Sequence, residues 1–331
     1  MNPPLVSILI PIYNEAPYIQ QCLEAILAQS YPSHKIEILI ADGMSNDGTI
    51  EIIQKIMEKN PDIHLFSYED KIVAKMLNKL MIKASGEILI RVDGHCVIDN
   101  NYVKNCVLHL FNNQVDGVGG SIKSVGKDKI SKVIALAVSS TFGVGGSSFR
   151  TEHGITKLAD TIPFPAYTRN IIDLVGLYDE ELVRNQDDEY NYRIREAGGK
   201  LLLASDVQSE YFGRKSLKKL WQQFFQYGFY KVRVLQKHPR QMRIRQFVPP
   251  LFVFSIFSAV ILSFFTSWGW ITLYSILGIY FLVNLATTVL IMAREGWHFL
   301  GLLPLTFLTI HFAYGLGFLA GLFKFWNRWK K

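Results

Sequence analysis

The stretch 87–96 reads EILIRVDGHC and decides how the rest of the sequence is interpreted. The short apolar run 88–92 predicts a strand that is buried on both faces and leads directly into a turn. In that turn Asp93 and His95 offer an oxygen and a nitrogen donor two residues apart, which is a partial coordination shell for a divalent ion. Gly94 between them has no Cβ, so two ligand side chains can flank one point in space. A plain Asp-Gly turn with a surface histidine is the alternative, and the neighbouring sequence decides between them.

The 331 residues carry a net charge of +7 that is unevenly distributed. Much of the positive charge lies at 215–245, just before residues 247–323, which are almost free of charged side chains. A basic run beside apolar segments is typical of a membrane surface, so the net charge by itself does not indicate nucleic-acid binding. Three cysteines without a CxxC spacing indicate a reducing compartment, and the first residues do not resemble a cleavable signal peptide.

Strands and helices alternate along the first ninety residues. This order predicts an α/β fold with a doubly wound, mainly parallel sheet. No GxGxxG follows the first strand, which disfavours an ordinary dinucleotide-binding domain. We expect strands at 6–11 (ended by Pro11), 36–40, 64–68 and 88–92, and helices at 18–29, 50–59 and 74–84.

Carboxylates follow three of the expected strands: Glu15, Asp42 and Asp93. Because the carboxyl ends of parallel strands share one edge of the sheet, these acids should meet in one cleft. Their mutual repulsion favours an occupant that supplies cations or hydrogen-bond donors, such as a nucleotide with a divalent ion. Simple capping of the following helices is the alternative for Glu15 and Asp42.

Four ordered motifs within about residues 5–235 resemble the family 2 glycosyltransferases, which have the GT-A fold. Their nearest likeness is to the succinoglycan-biosynthesis glycosyltransferases of bacterial exopolysaccharide assembly. The motifs are PIYNE at 11–15, ADGMSNDGT at 41–49, ASGE at 84–87 and VDGH at 92–95.

This resemblance implies a nucleotide-diphosphate sugar donor. Pro11 and Tyr13 belong to a donor-binding motif, Glu15 would lie near the nucleoside and Asp42 near the base. Asp93 and His95 would lie beside a Mg²⁺ or Mn²⁺ that bridges the diphosphate. Most of the family has a second Asp where this chain has His95, and an imidazole favours Mn²⁺ over Mg²⁺.

The segment 184–193 resembles the family's catalytic motif, a Glu-Asp pair followed by an Arg. Counting back from Arg193 places Asp187 at the catalytic base, with Asp188 as its alternative, and Gln186 where the family has Glu. The spacing predicts a helix from Asp188, whose N-terminal dipole favours ionised carboxylates, although capping alone would also explain these acids. The resemblance assigns Gln186, Arg193 and the earlier Arg169 to the acceptor side, and for Arg169 a structural ion pair is the alternative.

The glycine-rich segment 141–148 lacks the Lys of a P-loop, so we interpret it as a flexible loop on the substrate side. Residues 216–246 mix basic and aromatic side chains, which indicates a lipid interface; RNA binding is the competing interpretation, but no RNA-binding motif accompanies them. Glycines at 315–321 are expected to pack helices closely rather than to bind lipid.

Two or three transmembrane helices are expected within 247–323, at 247–265, 270–292 and 298–323. Three spans would place the basic tail 324–331 outside the cell, against the positive-inside tendency. The third segment is therefore re-entrant or broken into a hairpin near 313–315, or the tail is an exception. The resulting domains are a catalytic domain at 1–215, an interfacial segment at 216–246, the membrane helices and the tail.

The sequence therefore predicts a multi-pass enzyme of the inner membrane whose catalytic domain faces the cytosol. It would be an inverting transferase that moves a hexose, with glucose implied by the resemblance, from a nucleotide sugar to a lipid-linked saccharide. Two other interpretations stay open: transfer to polyprenyl phosphate, and a membrane scaffold that binds nucleotide sugars without chemistry. Processive synthesis is disfavoured because no clear QxxRW motif occurs near 222–233.

Overall fold

A computed structural model describes residues 2–146, 148–151 and 154–329 of the chain. The chain divides into two compact units. The first, here called the sheet unit, comprises residues up to 123 together with 148–212. The second, the helical unit, comprises 124–147 and the residues from 213 onward. The predicted catalytic domain therefore loses residues 124–147 to the helical unit.

The sheet unit is built on a mixed sheet that has nine strands among the described residues, in the order β3-β2-β1-β4-β8-β6-β9-β5, with β7 on β9. Strands β3, β2, β1 and β4 are parallel to their neighbours, and β8 then runs antiparallel to β4. The strands are β1 Val6–Ile12, β2 Ile36–Asp42, β3 Ile63–Ser67, β4 Ile88–Arg91, β5 Cys96–Ile98, β6 Gly117–Val125, β7 Lys157–Leu158, β8 Ala166–Thr168 and β9 Leu201–Phe212.

Helices cover both faces of this sheet because its central strands are apolar on both sides. Along β1, alternate residues from Val6 to Ile12 enter one hydrophobic cluster, which includes Leu23 of α1, while Leu9 enters another with Leu77 of α3. This arrangement confirms the predicted doubly wound α/β class. The helices of the unit are α1 Ile19–Leu27, α2 Thr49–Met57, α3 Val73–Lys83, α4 Tyr102–Asn112, α7 Ser148–Thr151, α8 Arg169–Val175 and α9 Gln186–Glu196, with a 3₁₀ turn at Ser33–Lys35.

The predicted elements of the first ninety residues agree with the structure to within about two residues, with one instructive exception. Pro11 was expected to end the first strand, but β1 continues through it to Ile12. On the β2 side Pro11 lies opposite Ala41, while the register with β4 ends at the pair Leu9–Arg91. A proline is tolerated there because the neighbouring strand that would need its N–H has already ended.

The helical unit contains three long apolar helices and the amphipathic helix that precedes them. Helix α13 is continuous, so the expected hairpin break near 313–315 is wrong. Segment 141–148 is not a plain loop, because residues 141–144 form a short helix. The helices of this unit are α5 Lys129–Val138, α6 Thr141–Val144, α10 Leu217–Lys237, α11 Val248–Ser263, α12 Ser267–Glu295 and α13 Leu302–Lys324, with 3₁₀ turns at Pro239–Gln241, Ile244–Gln246, Trp297–Phe299 and Trp326–Arg328.

Glycines let α10 and α13 approach one another closely. A Cβ at Gly228 would lie 2.1 Å from the carbonyl oxygen of Tyr314, and one at Gly317 would lie 2.0 Å from that of Phe225. These contacts agree with the packing interpretation of the glycines at 315–321. Among the described residues of this unit, two helices are long and apolar enough to cross a membrane, α12 and α13, whereas α11 has 16 residues.

Candidate active site

The loops after β1 and β2 form one cross-linked platform at the carboxyl edge of the sheet. The backbone N–H of Asn14 donates to Ser45 Oγ at 2.8 Å, and that of Glu15 donates to Thr49 Oγ1 at 2.8 Å. The two loops start side by side because Ile12 lies opposite Asp42 in the strand register. The motifs at 11–15 and 41–49, which are separate in sequence, are therefore one structural element.

Asp42 ends β2 with a fully buried side chain. Its Oδ2 accepts a hydrogen bond from the backbone N–H of Ser45 at 2.9 Å. Its Oδ1 is buried and has no partner among the described residues. Buried carboxylate oxygens are normally satisfied, so this oxygen is placed to accept a hydrogen bond from a ligand.

Tyr13 lies beside this platform, with 37% of its surface exposed. The ammonium of Lys71 lies 4.3 Å from the centre of its ring and donates to its hydroxyl at 3.0 Å. The part of this aromatic ring that stays exposed offers a stacking surface for a planar group. Pro11, two residues before Tyr13, lies inside β1 and belongs to the end of the strand rather than to this exposed surface.

Asp93 follows β4 and is paired with an arginine that sequence reasoning missed. The Nε and Nη2 groups of Arg91 both donate to Asp93 Oδ1, at 3.0 and 2.9 Å. Burial alone would raise the pKa of Asp93, but the positive charges of Arg91 and His95 outweigh it and hold that pKa below its usual value. The signal available in the sequence was a lone charged side chain inside an apolar strand.

His95 lies against Glu15 rather than standing alone in the turn. Its Nδ1 lies 2.7 Å from Glu15 Oε1, and its Nε2 is buried with no partner among the described residues. Burial lowers the pKa of His95. The opposite effects of Tyr211, of the hydrogen bond and charge of Glu15, and of the charge of Asp93 are larger together, and they raise the pKa to about 10. Glu15, Asp93 and His95 thus lie near one another, and the Glu15 carboxylate contacts the imidazole ring of His95.

Asp93 and His95 each keep an atom that could serve as a ligand to a divalent ion. Asp93 keeps its Oδ2 outside the pair with Arg91, and His95 has an unpartnered Nε2. Within the described part of the chain no three His, Cys, Asp or Glu side chains are grouped as a complete metal shell. Two protein ligands, completed by phosphate oxygens and water, are a usual arrangement for Mg²⁺ and related ions.

Asp187 and Asp188 lie in the first turn of α9, whose preceding residue Asn185 has a φ of 64°. The backbone N–H of Asp188 donates to Asp187 Oδ1 at 2.9 Å. Burial opposes the charge of Arg91, but the carboxylates of Asp93 and Asp187 raise the pKa of its guanidinium. Arg91 therefore interacts electrostatically with both acids.

Gln186 and Arg193 are the other members of this motif. The Gln186 side chain is buried. Arg193 donates to Glu189 Oε1 at 2.6 Å and to the carbonyl oxygens of Val175 and Leu177 at 3.0 and 2.8 Å. These bonds hold α9 to the segment after α8, so the guanidinium serves the fold.

Arg169 lies away from these residues. Its Nη2 donates to the carbonyl oxygens of Ala84 and Gly86 at 2.6 and 2.8 Å, and its Nε to Gly86 at 3.1 Å. These carbonyls precede β4, whereas Asp93 follows it. The structure thus places Arg169 at the amino end of that strand, where it bonds backbone carbonyl oxygens, and its acceptor-side role stays a prediction.

Comparison with known proteins agrees with this geometry. Residues 7–169 match the family model "Glycosyl transferase family 2". The chain is 30% identical to the succinoglycan biosynthesis protein ExoA of Rhizobium meliloti over 73% of each chain. It is 29% identical, over 96% of its length and 97% of the relative's, to a Methanococcus voltae protein named dolichyl N-acetyl-alpha-D-glucosaminyl phosphate 3-beta-D-2,3-diacetamido-2,3-dideoxy-beta-D-glucuronosyltransferase.

A solved structure has the same fold, which confirms the expected GT-A architecture. It is the mannosyltransferase PcManGT of Pyrobaculum calidifontis, determined with GDP-Man and Mn²⁺, with a TM-score of 0.63 at 18% identity over 97% of this chain and 88% of that one. Together with the identity to ExoA, the match to the family model shows that this chain belongs to glycosyltransferase family 2.

Proposed function

We propose that this protein is a membrane-bound, inverting glycosyltransferase that moves a hexose from a nucleotide-diphosphate sugar to a lipid-linked saccharide. One observation carries the proposal. Glu15 pairs with His95 and Arg91 with Asp93 at one edge of the sheet, the charge of Asp187 acts on Arg91, and a buried nitrogen of His95 has no partner among the described residues. Such a cluster is suited to an anionic, hydrogen-bonding substrate and an acid–base step.

The nucleoside would bind on the platform of the two cross-linked loops. Asp42 Oδ1 is a buried acceptor without a partner among the described residues, so a base N–H can donate to it. The exposed ring of Tyr13 offers an adjacent stacking surface. Asp42 and Tyr13 thus keep the donor-binding roles that the resemblance implied.

The transfer step needs a base for the acceptor hydroxyl, and we assign that role to Asp187. As the hydroxyl oxygen attacks the anomeric carbon, its proton passes to the Asp187 carboxylate and the bond to the diphosphate oxygen breaks, with inversion at that carbon. The N-terminal position in α9 favours the ionised carboxylate that this step requires. Arg91, between Asp93 and Asp187, keeps the two carboxylates from repelling one another.

Asp93 and His95 are the side chains that would hold a divalent ion. When bound, such an ion neutralises the charge that develops on the departing diphosphate. The ligand set of one carboxylate and one imidazole favours Mn²⁺. In support, the mannosyltransferase with the same fold was solved with Mn²⁺.

The lipid-linked acceptor is supported by the relatives' names and by the apolar helices. The name of the Methanococcus voltae relative specifies a dolichyl-linked sugar phosphate as its substrate, and that of the Rhizobium relative specifies succinoglycan biosynthesis. Helices α12 and α13 are long and apolar enough to hold this chain in a membrane. Since a lipid-linked acceptor is confined to the bilayer, a membrane-held enzyme meets it at a high local concentration.

The test uses the full-length protein in nanodiscs with a panel of nucleotide sugars (UDP-glucose, UDP-N-acetylglucosamine, UDP-glucuronic acid and GDP-mannose) and polyprenyl-phosphate-linked N-acetylglucosamine. We expect nucleotide diphosphate to be released only with one class of donor and only when the lipid-linked sugar is present. Mass spectrometry of the lipid product should show one added sugar, and NMR should show inversion at its anomeric carbon. Release with polyprenyl phosphate alone would favour the alternative acceptor.

The basic tail is expected on the cytosolic side, together with the sheet unit. Helix α11 has 16 residues, fewer than the ~20 that usually cross a bilayer, whereas α12 and α13 are long enough. With α12 and α13 as the two crossings, the basic tail returns to the cytosolic side, which satisfies the positive-inside tendency. A C-terminal GFP fusion should fluoresce and a C-terminal alkaline phosphatase fusion should be inactive; an active phosphatase would show an odd number of crossings.

A further inference from the structure

We propose that Glu15 is the positioning residue of His95, and that it fixes the ring so that Nε2 presents its lone pair to the divalent ion. The inference rests on the proposed function and deepens it. The resemblance placed Glu15 near the nucleoside, whereas its Oε1 lies 2.7 Å from His95 Nδ1. Glu15 therefore acts on the metal side of the site, through the imidazole.

The chemistry of the pair defines which nitrogen is available. An ionised carboxylate only accepts hydrogen bonds, so the proton between the two groups belongs to His95 Nδ1. Metal binding replaces any proton on the ligand nitrogen, so Nε2 would become the metal ligand while the Nδ1–H stays on Glu15. Histidines that bind metals commonly donate their second ring nitrogen to a carboxylate, which fixes the tautomer and strengthens the ligand.

The unpartnered nitrogen separates this role from an ordinary ion pair. His95 Nε2 is buried and has no partner among the described residues. An ion pair that served stability alone would gain nothing from leaving this nitrogen unsatisfied, since a buried polar atom without a partner is destabilising. A ligand atom is what such a site lacks.

Gly94 provides the space through which Glu15 reaches the ring. A Cβ at residue 94 would lie 3.0 Å from Glu15 Cγ and 2.7 Å from Ile12 Cγ2. A side chain at residue 94 would therefore crowd both Ile12 and the Glu15 side chain. The glycine leaves room for Glu15 beside His95.

Both partners are held from several directions. The backbone N–H of Glu15 donates to Thr49 Oγ1, and its carbonyl oxygen accepts from the N–H groups of Tyr18 and Ile19 at 2.9 Å each. The His95 ring contacts Tyr211 edge-on, with ring centres 4.8 Å apart. These contacts fix the backbone of Glu15 and support the His95 ring, which is what a positioning contact needs.

The experiment measures Mn²⁺ binding directly, by the loss of the free-ion EPR signal, on the full-length protein with UDP and separately with GDP. We expect Glu15→Gln to weaken Mn²⁺ binding about 10- to 100-fold, the range found when such supporting residues are replaced. Glu24→Gln is the matched control, because Glu24 is on the neighbouring helix α1 and its side chain contacts Gln20. That control should bind Mn²⁺ like the wild type.

A second background keeps the inference falsifiable if Glu15→Gln disturbs folding. In His95→Asp, the ligand has no second ring nitrogen to be held, so adding Glu15→Gln should reduce Mn²⁺ affinity much less than it does in the wild type. Equal losses in both backgrounds would show a general structural role and overturn the inference, as would unchanged affinity in Glu15→Gln. If the wild type itself binds no Mn²⁺ with either nucleotide, the metal site of the proposed function fails and this inference fails with it.

Discussion

The two ends of the parallel strands β2 and β4 treat their polar side chains in opposite ways. At the amino ends, Glu37 accepts hydrogen bonds from the Ser7 hydroxyl and from the backbone N–H groups of Ser85 and Gly86, while Arg169 donates to nearby carbonyl oxygens. At the carboxyl ends and the turns that follow, Asp42 Oδ1 and His95 Nε2 are buried without partners among the described residues. The polar groups at the amino ends satisfy one another, whereas the carboxyl ends keep buried atoms that a ligand could satisfy.

This difference shows that a recurring motif can mark architecture as well as chemistry. The sequence ASGE at 84–87 is one of the four motifs of the family resemblance, yet it lies at the amino end of β4. A Cβ at Gly86 would lie 2.6 Å from the backbone nitrogen of Ser7, so the glycine is needed for strand packing. Unsatisfied buried atoms, and not motif membership alone, separate the two kinds of site.

The largest effect is expected at the carboxyl end, on replacing the proposed base. Asp187→Asn removes the proton acceptor and keeps the shape of the side chain, so turnover should fall about 10²- to 10⁴-fold. The affinity for the nucleotide diphosphate should stay close to that of the wild type, because the Asp42 platform is unchanged. Released diphosphate measures turnover, and titration calorimetry measures binding.

Asp188→Asn is the control for this change, and a larger loss there than at Asp187 would exchange the two assignments. Near wild-type turnover of Asp187→Asn on a sugar acceptor would remove Asp187 from the role. On polyprenyl phosphate the same substitution should have little effect, since a phosphate oxygen is already anionic and needs no base. The comparison of the two acceptors therefore tests the acceptor as well as the base.

The next effect in size concerns nucleotide binding. Asp42→Asn replaces a charged acceptor by a neutral amide, and loss of a hydrogen bond to a charged group costs about 1.5–3 kcal/mol, or about 10- to 150-fold in Kd. Glu37→Gln is the matched substitution at the opposite end of the sheet and should leave the Kd unchanged. If both variants bind UDP or GDP equally well, the contrast between the two ends has no functional meaning.

A smaller effect is expected on the choice of metal. The wild type should be more active with Mn²⁺ than with Mg²⁺ at equal concentration, because an imidazole ligand suits Mn²⁺ better. His95→Asp should shift the ratio of the two activities toward Mg²⁺. Equal or higher wild-type activity with Mg²⁺ would contradict the preference, whatever the variant does.

The strands, helices and acid-bearing loops of the sheet unit could be predicted from the sequence because each follows from local periodicity and strand order. Ile36–Asp42 and Val73–Lys83 are examples, each within about two residues of its expected limits. The partners of the acids could not be predicted in this way. Glu15 and His95 are 80 residues apart in the chain, and their contact depends on how β1 and β4 pair and on the space left at Gly94.

The packing of the helical unit could not be predicted from the sequence for the same reason. Hydropathy locates α12 and α13 but does not reveal that α13 is largely covered by its own unit while α12 is not. Nor does it show that residues 124–147 join these helices, where the carbonyl oxygen of Phe142 lies 2.8 Å from His311 Nε2. Such contacts depend on tertiary packing, which periodicity does not encode.

The smallest functional effect is expected at the amino end of β4, where Arg169→Met should change stability and not binding. The substitution leaves the carbonyl oxygens of Ala84 and Gly86 without their donor, which costs about 1–3 kcal/mol and should lower the melting temperature by several degrees. Because these bonds lie at the end of the strand away from Asp93, the Kd for nucleotide diphosphate and the turnover at low temperature should match the wild type. Differential scanning fluorimetry in detergent, with and without nucleotide, measures the melting temperature. Calorimetry measures the Kd. A selective loss of turnover at unchanged melting temperature would return Arg169 to the acceptor side and remove the distinction between the two ends.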